Sequence, residues 1–184
     1  KKIIGLDLSP YFISIAKFNS WRKKTNIEYV LSNAENINLQ NNSFDLICSS
    51  FMFHEVPEEG RKNILKEMYR LLKPGGQLII TAPFSSNVHM SPYHFCSGFS
   101  KYWYEHHLPL RGFKIDTLKA NGDWYAVLRQ EISRLGSLER EKSNWIWPIS
   151  YIFSLVGLTY FALRPKKKDN HLACFGWHCV AIKK

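Results

Sequence analysis

Asp7 closes an apolar run, Ile3 to Leu6, and is followed almost at once by Ser9 and Pro10. An acid at the carboxyl end of a strand can accept hydrogen bonds from a ribose, which is how nucleotide-binding α/β folds use it. Ser9 and Pro10 suit a helix start, because a hydroxyl caps free N–H groups and proline fits the first turn. In such folds the acid lies about 20 residues after a glycine-rich loop. Only six residues precede Asp7, so either the pattern is accidental or the chain opens in the middle of a fold. His54 is a second candidate for chemistry: it follows an apolar strand, and a neutral imidazole there could take a proton from a hydroxyl. His106 and His107 are adjacent rather than four apart, so they cannot face one ion from a helix, and no metal site is expected. Cys48, Cys96, Cys174 and Cys179 include no C-x-x-C pair; reduced thiols are expected, with Cys48 buried inside its apolar run.

The elements that must position these residues alternate in period. Residues 10–24 read as a helix with Phe12, Ile13, Ala16 and Phe18 or Trp21 near one side and basic residues at its end. A short strand from Ile27 to Leu31 and another from Phe44 to Ser49 follow, the second leading through a loop to Pro57. The clearest helix is "EEGRKNILKEMYRLL", with two glutamates in its first turn, apolar residues at helical spacing, and Pro74-Gly75-Gly76 to stop it before the strand "QLIITAP". A helix over about 100–108, a strand over 113–118, a helix from Asp123 with Val127, Leu128, Ile132 and Leu135 on one side, and a closing strand complete the pattern. Gly176, in that last strand, marks a bulge or a close contact. Strands alternating with helices at this spacing predict a doubly wound α/β sheet.

At 184 residues the chain is expected to form one domain. Its formal charge of +10 comes from lysines and arginines scattered along the sequence, which reads as a solvated basic surface rather than a nucleic-acid face. Trp145 to Leu163 carries no charge over 19 residues, long enough to cross a bilayer or to make a buried or interfacial helical pair, with Pro148 and Gly157 against spanning. The basic run Arg164 to Asn170 follows it, so residues 145–168 offer a membrane-surface contact.

Four stretches in order, "GLDLSP" (5–10), "SNAENI" (32–37), "NSFDLICSSFMFHEV" (42–56) and "EMYRLLKPGGQLIITAP" (67–83), resemble the class I S-adenosylmethionine-dependent methyltransferases, nearest to the type 11 methyltransferase domain. The resemblance is strongest over residues 3–83. It implies a Rossmann-like sheet lacking the first strand and its glycine-rich loop, with a C-terminal antiparallel strand. It divides the single domain 1–184 into a cofactor-binding half (1–83), an acceptor or lid region (84–170) and a final strand (171–184). The implied donor is S-adenosylmethionine. Asp7 would hold both ribose hydroxyls, Leu8 would pack near the adenine, Asn33 and Ala34 would meet its amine and ring, and Ser49, Ser50 and Phe51 would line the sulfonium. His54 would act as a base or shape the pocket. Tyr93, His94, Trp103 and His107 would hold the acceptor. The implied activity is methyl transfer, to oxygen, on a small molecule, a glycan or a lipid-linked acceptor, in a cytoplasmic or peripheral protein. The other reading is a catalytically incomplete remnant serving as an interaction module. A dehydrogenase would share the opening strand and acid but not the later order of motifs, and no "NPPY"-like stretch points to a nucleic-acid methyltransferase.

Overall fold

The computed structural model describes residues 2–89, 91–142, 145–163 and 172–184. Six strands and five helices follow in the order β1 (Ile4–Asp7), α1 (Pro10–Lys23), β2 (Glu28–Leu31), β3 (Phe44–Ser50), α2 (Glu58–Leu71), β4 (Leu72–Pro83), α3 (Lys101–Leu110), β5 (Phe113–Asn121), α4 (Trp124–Glu141), α5 (Trp147–Leu163) and β6 (Gly176–Lys183), with one 3-10 turn at Phe53–Glu55. β1 and β2 form a parallel pair, and the other strands form a sheet in the order β3-β4-β6-β5. β3 and β4 run parallel, whereas β6 is antiparallel to both β4 and β5. This is the mixed α/β architecture with a C-terminal antiparallel strand that the sequence implies.

The core lies where α2, the 3-10 turn and α3 meet β4 and β6. Ile64, Leu65 and Met68 of α2 meet Leu72, Leu78 and Ile80 of β4, Tyr104 and Leu108 of α3, and Cys179 and Ala181 of β6. Side chains two apart along β4 and β6 enter this cluster because a strand's period is two.

Three elements depart from the sequence expectations. The helix α2 stops at Leu71, and Pro74-Gly75-Gly76 lies inside β4 rather than before it. Leu72 already pairs with Phe44, and the register then slips before Leu46 meets Gln77, so the glycines serve a bulge. Gly75 takes φ +76° there, a conformation cheap only for glycine. In α1 only Ile13, among the large apolar residues, is buried, while Phe12, Phe18 and Trp21 are exposed: they do not share one inward face, and among the described residues α1 packs chiefly on β1 and β2. Cys48 is exposed, not buried, because β3 has β4 as its single strand neighbour among the described residues and presents Leu46, Cys48 and Ser50 outward. All four thiols are free. Gly176 makes the close contact expected of it, against the Ala82 carbonyl.

Helices α4 and α5 pack antiparallel: Gly136 receives the Tyr151 ring, Gly157 receives Ile132, and Ser154 Oγ donates to Ile132 O at 2.6 Å. Among the described residues no helix is long and apolar enough to cross a membrane. The basic run Arg164 to Asn170 lies outside the described residues.

Candidate active site

The Asp7 end of β1 is joined to the turn after β2 by a hydrogen bond from Ser32 N to Asp7 O, 3.1 Å. This places Asp7 beside the "SNAE" turn at the carboxyl ends of two parallel strands, the side on which open α/β sheets bind ligands. Asp7 Oδ1 accepts from Ser9 N at 2.8 Å, and Ser9 Oγ caps α1 by accepting from Phe12 N. Leu8 is 68% exposed. Asn33 Oδ1 accepts from Glu35 N at 2.9 Å, the Asx-turn arrangement that asparagine favours. Ala34 packs against the main core.

That turn is fastened to α2. Glu67 Oε2 accepts from Ile37 N at 2.9 Å, and Arg70 donates to Ile37 O and Leu39 O, each at 2.7 Å, while pairing with Glu67. The Arg70 guanidinium holds the Glu67 carboxyl below its usual range. Asn63 adds a bond to Glu35 Oε2 at 3.1 Å.

At the end of β3, Ser49 is buried with its Oγ lacking any hydrogen-bond partner, Ser50 is exposed, and Phe51 is 53% exposed. Phe51 adopts φ +57°, with its N–H donating to Thr81 O at 2.8 Å. A bulky residue in the left-handed region is strained, and such strain concentrates at ligand sites. The Asp7 carboxylate with Leu8 after it at the end of β1, and the unpartnered Ser49 hydroxyl with the exposed Phe51 ring at the end of β3, are groups of the chemistry that an adenosine needs.

His54 is only 2% exposed, and burial pushes its pKa down, with Glu55 opposing and His89 and His94 reinforcing. Its Nε2 lies 3.0 Å from His89 Nε2, and its Nδ1 has no partner. Arg61 holds this loop from α2, donating to Val56 O at 2.9 Å and reaching Cys96 Sγ at 3.3 Å. His94 stands beside the pair, its ring 5.2 Å from that of His89. Tyr93 is exposed on the same loop.

Trp103 and His107 sit one turn apart on α3, rings 4.9 Å apart, facing a shallow groove with Glu58, Arg61, Lys62 and Arg111. Phe53, whose ring is 5.8 Å from that of Trp103, and Arg61, which lines the groove, stand between them and the histidine loop. The structure thus joins Asp7 with Asn33 and Ala34, and His54 with His94, but sets Trp103 and His107 apart. Sequence reasoning missed His89, Glu55 and Arg61. Glu55 and Arg61 adjoin the loop already singled out, whereas His89 lies in a stretch with no periodicity to signal a fold-back.

Residues 1–80 match the family model described as a methyltransferase domain. The demethylmenaquinone methyltransferase of Oceanobacillus iheyensis is 39% identical over 79 residues, 42% of this chain and 32% of that one. The ubiquinone/menaquinone biosynthesis C-methyltransferase UbiE of Escherichia fergusonii is 46% identical over 55 residues, 30% of this chain and 21% of that one. The matched segments therefore span about a third or less of these curated relatives. A solved protein of Galdieria sulphuraria, described as a sarcosine dimethylglycine methyltransferase, aligns over 100% of this chain and 69% of its own with a TM-score of 0.64 at 18% identity, a likeness of fold. Residues 1–80 thus resemble the methyltransferase domain family, and the chain as a whole shares the mixed α/β fold of the Galdieria sulphuraria protein.

Proposed function

We propose that the protein is an S-adenosylmethionine-dependent methyltransferase whose acceptor is a quinol-type ring on an apolar chain, methylated at carbon. The observation that carries the donor half is the backbone bond from Ser32 N to Asp7 O, which sets the Asp7 residue beside the Asn33 turn at the carboxyl ends of β1 and β2. The names of the two relatives support the acceptor half, and they favour carbon over the oxygen expected from the resemblance.

When bound, the donor supplies an electrophilic methyl group on a sulfonium. Asp7, an acceptor-only carboxylate, takes the two ribose hydroxyls, and Ser9 N keeps one of its oxygens aimed. Leu8 and Phe51 cover apolar ring surface, while Ser49 Oγ offers a polar contact otherwise unmet. Asn33 and the Ala34 backbone meet the adenine. Tyr93 and His94 bound the acceptor, and Trp103 and His107 back this region through Phe53 and Phe99. His54 is buried with its Nε2 against His89, and it shapes the pocket; alignment of donor and acceptor supplies much of the acceleration in a displacement of this kind.

The test is incubation of the full-length protein with methyl-labelled S-adenosylmethionine and a demethylated quinol, followed by mass spectrometry of the product. Label on a ring carbon is expected. Label on oxygen removes the carbon assignment, and no labelled quinol from protein that binds S-adenosylhomocysteine removes the acceptor while leaving the donor.

A further inference from the structure

We propose that His54, Glu55 and His89 form a binding site for a divalent first-row transition ion of the zinc type. His54 Nε2 and His89 Nε2 are 3.0 Å apart, and Glu55 Oε1 lies 3.9 Å from the first and 3.6 Å from the second. The circle through these three atoms has a radius of about 2.1 Å, which is the reach of a zinc–nitrogen or zinc–carboxylate bond, about 2.0–2.2 Å. One ion can therefore touch all three with small side-chain adjustments.

The chemistry of the donors agrees with the spacing. His89 Nδ1 faces Asn87 O at 2.7 Å. A carbonyl only accepts, so Nδ1 carries the proton and Nε2 presents its lone pair to the cluster, the arrangement in which an outer hydrogen bond orients a ligating imidazole. The two imidazoles converge on the space of a single proton, and an ion replaces that proton, sending the one on His54 to Nδ1. Glu55 supplies negative charge. Two imidazoles and one carboxylate suit zinc and its neighbours in the first transition row rather than magnesium or calcium.

The site is built and reachable. The loop bearing His89 is closed on itself by Ser86 Oγ to Ser97 O at 2.7 Å and tied back by Cys96 N to His54 O at 3.3 Å. His54 is buried at its base, while the side chains of His89 and Glu55 are 40% and 32% exposed. Three protein ligands with a position left over is the pattern of ions that take up a substrate or water. An ion here sits past the carboxyl ends of β3 and β4, so a quinol oxygen could fill that position; this last step rests on the proposed function, whereas ion binding does not.

The experiment is titration of the chelator-stripped full-length protein with Co2+, read by visible absorption, and with Zn2+, read by calorimetry. One equivalent is expected, with d–d bands of a low-symmetry N/O site, and affinity at least tenfold weaker in His89→Ala and in Glu55→Gln. His106→Ala, on exposed α3 surface, serves as the unaffected control. Both test substitutions change solvent-reachable side chains, and circular dichroism confirms that they fold. Absence of binding, or binding unchanged in both variants, overturns the proposal. A thiolate-to-cobalt charge-transfer band also overturns it, since the ion would then belong to cysteine. Because the readout is the ion itself, failure here leaves S-adenosylhomocysteine binding untouched.

Discussion

The β1–α1–β2 unit and the four-stranded sheet obey different economies. The sheet closes on a continuous cluster in which Phe53, Leu72, Leu78, Tyr104 and Phe113 are wholly buried. The first unit buries one large apolar side chain, Ile13, and shows Phe18 and Trp21 to the outside. Yet the first unit carries Asp7 and leads into Asn33, the residues proposed to hold the donor. Its position depends on polar fastenings to α2, chiefly Glu67 and Arg70 gripping the 37–39 backbone. The recognition motif and the stabilising core are thus held by separate kinds of interaction.

Four substitutions or conditions break or sharpen that comparison. Leu78→Ala, deep in the sheet, should cost about 2–5 kcal/mol in urea unfolding through lost burial and a residual cavity. Glu67→Ala should cost about 1–3 kcal/mol, because it leaves Ile37 N without its acceptor and takes the carboxylate away from the Arg70 guanidinium. It should also weaken S-adenosylhomocysteine binding, while Leu78→Ala leaves the affinity of the folded fraction unchanged. A smaller effect concerns pH. His54 has a folded pKa below its ordinary value near 6.5, so the unfolded chain binds the proton more readily. Stability is fully present above about pH 6.5 and falls as pH drops from there through the folded pKa. Midpoints measured across that window should fall less steeply in His54→Gln. Least of all, Phe18→Ser should change stability by no more than about 0.5 kcal/mol. A cost near that of Leu78→Ala would mean that the outer face of α1 is packed after all.

What the sequence made legible follows the same division. α2 could be read because Ile64, Leu65, Met68 and Leu71 repeat at the helical period and all enter the core. α1 was legible as a helix from its Ser9-Pro10 start, but its buried face was not, because its aromatic residues are spread around the helix rather than sharing an inward side. Cys48 was misjudged for a related reason: an apolar run signals a strand, but not whether both faces of that strand are covered. Pro74-Gly75-Gly76 has the composition of a helix stop and acts as a bulge, since pairing of Leu72 with Phe44 had already begun the strand. Of the candidate site, Asp7 and the 32–37 turn were legible through motif order. The union of His54 with His89 was not, since it depends on a loop folding back over 35 residues.

The most direct test of the account is calorimetric titration of S-adenosylhomocysteine into the full-length protein and its Asp7→Ala variant. Loss of hydrogen bonds to a carboxylate, worth about 1.5–3 kcal/mol each, predicts at least a tenfold weaker affinity in the variant with folding unchanged. Equal affinity in the two proteins, or no binding by the folded parent, would contradict the assignment of Asp7 and of the cofactor site built around it.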